Sequence, residues 1–213
     1  MSASGAKVGD LARTRALQAA ALCLNYPDEA LLDQVTLLGE TAAALPAAAG
    51  APLARFVAHL QGTDPGVLTR DYVEIFDLRR RCCLYLTYYS HGDTRKRGMA
   101  LLEFTHAYRG AGVTLVGGEL PDHLGLVCEV AARAPETGLG LLRDNRAGVE
   151  LLRTALAEAG SAYVDVLDTI RAVLPDAAPK DLQRALALAR SGPPAEEVGL
   201  EPFAPPEYMG ARR

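Results

Sequence analysis

The sequence predicts an all-α fold, with a single bundle-like helical domain over residues 1–190 and a Pro-rich irregular tail over 191–213. Apolar residues recur at steps of three and four nearly everywhere, the period of a helix with one buried face. Strand signals are almost absent: Val113-Thr114-Leu115-Val116 is a short β-prone run, and the glycines on both sides make it a loop. The breaks between periodic segments are short, so neighbouring helices pack side by side. No internal repeat at a fixed period is found.

Each helix has its own pattern. Leu31, Val35, Leu38, Ala42 and Leu45 step by four and three, and Pro27 marks the start of that helix. Leu53, Phe56, Val57 and Leu60 repeat the pattern until Thr63, where Asp64-Pro65 supplies a new N-cap and first helical position. Leu68, Tyr72, Ile75 and Phe76 form the next apolar face. Asp93 caps a helix running through Met99, Leu102 and His106 to Tyr108, which Gly110-Ala111-Gly112 ends. Pro121 opens another, with Leu124, Val127, Cys128 and Ala131 on one side. Leu139, Leu142, Val149, Leu152 and Leu156 mark one longer helix, closed by Gly160. Tyr163, Val166, Leu167, Ile170 and Leu174 follow, and Leu182, Leu186 and Ala189 make the last. From Ser191 the prolines at 193, 194, 202, 205 and 206 prevent helix; the tail still carries Phe203, Tyr208 and Met209, which can dock on the domain or on a partner.

Composition excludes several function classes. The chain has 213 residues, 49% hydrophobic and 23% charged, an ordinary globular balance long enough to bury a core without disulfide or metal. Mean hydropathy is only +0.06, and no segment approaches the roughly 20 continuous apolar residues of a membrane span. Met-Ser-Ala-Ser-Gly-Ala-Lys carries no apolar h-region behind its lysine, so no secretory signal is expected. Cys23, Cys82, Cys83 and Cys128 show no CxxC spacing, which points to reduced thiols in the cytoplasm and to no metal site. A net charge of −4, zero Trp and 6% aromatic residues argue against nucleic acid as a partner.

Three segments concentrate chemistry. Arg79-Arg80-Arg81 and Arg95-Lys96-Arg97 place six cations against the single carboxylate of Asp93 between positions 79 and 97. Such an island attracts a phosphate-bearing ligand or an acidic partner, or is a solvated helix end paired with nearby acids. Glu119-Leu120-Pro121-Asp122-His123 puts two carboxylates and an imidazole within five residues. That grouping serves proton transfer, or it caps a helix start. Tyr72-Val73-Glu74-Ile75-Phe76-Asp77 with Leu84-Tyr85-Leu86-Thr87-Tyr88-Tyr89 is an aromatic stripe, either core or the wall of a peptide groove. No P-loop, GxGxxG, GxSxG or HExxH is present, and no nucleophile or oxyanion partner stands with His123.

At these same segments the chain resembles the NarJ family, the assembly chaperones of respiratory nitrate reductase within the wider TorD/DmsD-like group of redox-enzyme maturation proteins. The resemblance rests on Asp71-Tyr72-Val73-Glu74-Ile75-Phe76-Asp77, His91-Gly92-Asp93-Thr94-Arg95-Lys96-Arg97-Gly98 and Glu119-Leu120-Pro121-Asp122-His123-Leu124. Order and spacing agree from about residue 11 to 190, and Leu200-Glu201-Pro202-Phe203 is also similar. Cys82-Cys83-Leu84-Tyr85 departs from the more Ser/Leu-like run of the family.

The resemblance implies a cytoplasmic, non-catalytic helical domain of the TorD/NarJ type, with no cofactor of its own. It would bind the N-terminal leader of the nitrate reductase catalytic (alpha) subunit until molybdenum cofactor is inserted. Tyr72/Phe76 and Glu119/Asp122/His123 correspond to the two signature regions of the wider group. Tyr72, Phe76, Tyr88 and Leu124 are the expected apolar walls, with Glu119 and Asp122 at the rim to meet basic leader residues. The alternative is a module that binds molybdenum cofactor or nucleotide phosphate through Arg79, Arg80, Arg81, Arg95 and Arg97. The wider group includes domain-swapped dimers, and the glycine-rich loop 110–118 would serve as hinge in a transient homodimer.

Overall fold

Helix α1 (Asp10–Cys23) is the element around which the others gather, although it lacks the clean apolar stripe by which the rest announce themselves. Its alanines make a thin helix, so α8 (Leu124–Arg133) and α11 (Tyr163–Val173) both approach it closely. Ala16, Leu17, Ala20 and Cys23 are completely buried there. The structure is a computed structural model that describes residues 9–176, 178–180, 183 and 186–188.

Between α1 and α8 lie α2 (Glu29–Leu32), α3 (Val35–Ala44), α4 (Ala47–Gly62), α5 (Pro65–Tyr72), α6 (Leu86–His91) and α7 (Arg95–Gly110). After α8 come α9 (Pro135–Asp144), α10 (Arg146–Glu158) and α11. α4 packs on α3 and α11, and α9 folds back on α8. One core runs through Leu17, Leu53, Phe56, Leu124, Leu152 and Ile170, each fully buried. The all-α expectation holds: no strand occurs among the described residues, and their only β pairing is a single antiparallel bridge between Tyr85 and His123. No described helix is long and apolar enough to cross a membrane.

The α10–α11 seam is pinned by charge. Glu150 accepts from Arg146 at 2.8 Å and from Arg171 at 3.0 Å, and Arg153 pairs with Asp168 at 2.5 Å. Burial pushes the Asp168 carboxyl up, but Arg153 and Arg171 outweigh it and hold the group below the ordinary carboxylate value. Arg146 is buried and also donates to Pro175 O at 2.9 Å, so the network ties the chain beyond α11 to α10.

Several element boundaries depart from the sequence pattern, each for a local reason. The helix expected from Pro27 to Leu45 is two, because Asp28 caps a short α2 by accepting from the Leu31 amide and the chain turns at Asp33-Gln34 before α3. Asp93 does not cap α7; Thr94 holds that position, and Asp93 pairs with Arg97 at 3.6 Å. The single helix expected over Leu139–Leu156 breaks at Asn145, whose side chain turns back to donate to Leu141 O. Asp64 and Pro65 cap and open α5 as expected. The loop over Val113–Val116 is a loop. Of the last predicted helix, Leu182 and Ala189 lie outside the described residues, as does the whole 191–213 tail.

Candidate functional site

The three motif segments meet at Asp122. The bridge between Tyr85 and His123 places the Pro121-Asp122 turn across the start of α6: the Leu86 amide donates to Asp122 O at 3.0 Å and the Leu124 amide donates to Leu84 O at 2.8 Å. Asp122, with no exposed surface, accepts at Oδ2 from the Thr87 amide at 3.0 Å and the Thr87 hydroxyl at 2.6 Å. The helix predicted to open at Pro121 therefore begins at Leu124, and Asp122 caps a different one, α6, from across the chain. Arg97 from the basic motif reaches the same carboxylate at 4.0 Å, donates to Thr87 Oγ1 at 3.3 Å and lies 5.5 Å from the centre of the Tyr85 ring.

Beside this buried knot, Tyr85 donates its hydroxyl to the exposed Glu119 at 3.0 Å and packs its ring edge on His123. Burial and then the Glu119 carboxylate push the Tyr85 phenol up to about 12, so it remains a donor at neutral pH. Burial also holds His123 below its ordinary value, against the pull of Glu119 and Asp122, and favours a neutral imidazole. Among the described residues no group of three or more His, Cys, Asp or Glu is arranged to hold a metal.

The aromatic stripe is real but is not a regular helix face. After α5 the chain widens into a π-turn at Val73–Asp77, with the Leu78 amide donating to Val73 O at 3.1 Å. Such turns are rare and concentrate at functional positions. The widening sets Phe76 against Tyr72 at 4.8 Å and against Tyr163 of α11 at 4.7 Å, and Tyr72 in turn against Tyr26 at 5.4 Å. Tyr72 is buried and donates to Leu24 O at 3.1 Å, while Phe76 is half-buried and Tyr26 is 48% exposed.

Against this pile a groove of about 520 Å³ opens between the π-turn and the α10–α11 corner. Ile75, Tyr163 and Val164 line it with apolar surface, and Asp71, Glu74, Arg79, His59 and Ser161 supply polar groups. Glu74 is paired with Arg79 at 2.6 Å, whereas half-buried Asp71 has no cation partner among the described residues. Gly160 turns the corner at φ +66°, a conformation suited to glycine.

The expected site residues thus divide. Tyr72 and Phe76 touch each other, and Tyr85, Glu119, Asp122 and His123 form the neighbouring cluster. Asp122 and Leu124 are fully buried, so neither stands at a rim or wall; they shape the support beneath. Tyr88 lies on α6 with its ring against Tyr89, apart from the Tyr72–Phe76 pile. The basic island is divided: Arg79 goes to Glu74, Arg81 to Glu158 at 3.2 Å, and Arg97 turns inward, while the side chains of Arg80, Arg95 and Lys96 are exposed. Burial raises the thiols of Cys82 and Cys83 despite the nearby arginines, and neither is activated. Sequence reading missed Thr87 and Arg97 as partners of Asp122, and Asp71 and Tyr163 as groove walls. Asp71 and Glu74, three apart on one helix face, were the only local signal.

A helical domain built around these converging segments is of the redox-enzyme maturation type, and the chain belongs to the family described as nitrate reductase delta subunit, whose profile matches residues 42–168. The fold resembles a putative redox enzyme maturation protein from Archaeoglobus fulgidus with a TM-score of 0.56 at 25% identity, covering 74% of this chain and 91% of that one. The nitrate reductase molybdenum cofactor assembly chaperone NarJ of Escherichia coli K12 is 33% identical over 151 residues, 69% of this chain and 64% of NarJ. The nitrate reductase-like protein NarX of Mycobacterium tuberculosis is 38% identical over 154 residues, 72% of this chain but only 23% of that much longer relative. These similarities bear out the NarJ-family resemblance.

Proposed function

We propose that this protein is a cytoplasmic, non-catalytic assembly chaperone of a nitrate reductase. It binds the N-terminal leader of the catalytic alpha subunit and keeps that subunit competent for molybdenum cofactor insertion and complex assembly. The observation that carries this reading is the groove between the π-turn and the α10–α11 corner, with Ile75, Tyr163 and Val164 as apolar lining and Asp71 as a carboxylate with no ion pair among the described residues. An amphipathic leader would lay its apolar face here and along Phe76, while Asp71 and Glu119 meet its basic residues. Tyr72 stiffens the wall, and Asp122, His123 and Leu124 hold Glu119 and Tyr85 in place from beneath. The support comes from the site geometry and from the description of the NarJ relative as a molybdenum cofactor assembly chaperone.

The test is titration calorimetry of the full chain with a synthetic peptide of the first ~15–20 residues of the cognate catalytic subunit, long enough for several helical turns. Saturable 1:1 binding with a negative heat-capacity change is expected. Phe76→Ala should weaken it by about tenfold or more, the scale on which a buried aromatic anchor acts. Asp71→Asn should weaken it less and flatten its salt dependence. Absence of binding by the wild-type chain across pH 6–8 overturns the leader reading, and unchanged affinity in both variants moves the site away from the groove.

A further inference from the structure

α7 carries a second surface, on the side away from the core. Arg95, Met99, Leu102, His106 and Arg109 follow one another at steps of four, three, four and three, and all five are exposed. Met99 and Leu102 at the centre are 65% and 49% exposed. Ala100, Phe104 and Tyr108, on the opposite side, fix α7 to the domain. Alternating steps of four and three are the spacing by which one helix seats on another, and here that seam faces outward. Within α7, Lys96 and Arg109 are exposed cations near the two ends of this seam, whereas Arg97 is turned toward Asp122. The outward seam is therefore apolar in the middle and cationic at both ends.

Charge decides what can cover it. A second copy packed antiparallel would set Arg109 against the Lys96 end, and a parallel copy would set each of these cations against its twin. Both arrangements oppose like charges. A nucleic acid would answer the cations but gives no role to a Met-Leu centre at helical register, and an anionic bilayer calls for a broader apolar face than Met99 and Leu102 supply. We propose that the outward face of α7 docks an amphipathic helix of a protein partner, with carboxylates at its ends and aliphatic side chains between them. From Arg95 to Arg109 the seam is about 21 Å long at 1.5 Å per residue, so the partner helix needs about four turns. This surface is independent of the leader-binding reading.

The experiment titrates the full chain with two labelled synthetic helical peptides of about 16 residues, followed by fluorescence anisotropy. Both carry leucines at the same four-three steps; one has glutamates at its ends, the other lysines. The glutamate-ended peptide is expected to bind saturably and the lysine-ended one not. Lys96→Glu with Arg109→Glu should cost the first peptide at least tenfold and admit the second, and Met99→Glu with Leu102→Glu should abolish binding of both. All four positions are exposed, so these variants should fold. Binding of neither peptide to the wild-type chain, or equal binding of both, overturns the proposal. So does a wild-type dimer in sedimentation that Met99→Glu/Leu102→Glu dissociates, or binding to phosphatidylglycerol vesicles that those two changes abolish.

Discussion

Gly138→Ala is expected to destabilise the protein by about 1–3 kcal/mol, measured by urea denaturation. Helix propensity alone would predict the opposite sign, since alanine in a helix interior is favoured over glycine by roughly 0.5–1 kcal/mol. The packing of α9 on α8 decides against it. A Cβ at position 138 would stand 2.2 Å from Ala131 Cα, 2.3 Å from its nitrogen and 2.6 Å from its Cβ. Two of those are backbone atoms of α8, which cannot swing aside as a flexible side chain would, so the helices must part and Leu142, fully buried in the same seam, must lose contacts. Gly140 is the internal control, two residues on in α9. Its added Cβ would meet only the end of the Arg143 side chain at 3.9 Å, and Gly140→Ala should be neutral or slightly stabilising. Equal stabilities for the two variants would show that α8 and α9 are not in this contact.

Asp122→Ala is expected to cost about 3 kcal/mol, on the scale of deleting a buried charged acceptor. It leaves the buried Thr87 amide and hydroxyl without their acceptor and removes the inner anion facing Arg97. Asp122→Asn should fall between, because one amide oxygen can still accept from Thr87 while its NH2 replaces Oδ1, a buried atom with no partner among the described residues. A cycle with Thr87→Val isolates the pair: if the carboxylate acts mainly on Thr87, the double variant loses clearly less than the sum of the singles. The same variants separate support from contact. Once folded, Asp122→Asn should bind the leader peptide as the wild type does, whereas Glu119→Gln, on the exposed end of the cluster, should bind it more weakly.

The parts of the fold legible in the sequence are those whose causes are local. Asp64-Pro65 announces the start of α5, and the Leu53–Leu60 spacing announces the buried face of α4. α1 escaped notice because its alanines and Cys23 leave little contrast between faces, although it is among the most buried helices. The π-turn at Val73–Asp77 keeps the residue types of a helix and changes only which carbonyl each amide reaches. At the candidate site, the local pattern of Glu119-Leu120-Pro121-Asp122-His123 reads as the start of the helix that follows, with Asp122 in its first turn. That it caps α6 instead depends on an antiparallel bridge between residues 38 positions apart, Tyr85 and His123, which no local pattern encodes. The groove was invisible for the same reason: Asp71 and Tyr163 meet only because α11 packs beside the π-turn.

The tyrosines have an optical consequence. Tyr72 donates to Leu24 O, Tyr89 to Cys83 O and Tyr108 to Pro121 O, so phenols staple stretches of chain whose carbonyls have no helical partner. Burial raises all three above the ordinary phenol value of 10.0, and does the same to Tyr85, Tyr88 and Tyr163. An acid whose folded pKa is raised contributes stability that is complete below its unfolded pKa and fades as pH climbs through the window above it. Above about pH 10 the unfolded chain therefore ionises first, and the fold should weaken with alkali. With no tryptophan to mask the band, phenolate absorbance near 295 nm should rise together with loss of helical circular dichroism. Six of the eight tyrosines are raised, so ionisation of more than two of them well before that loss would mean the staples are open in the native state.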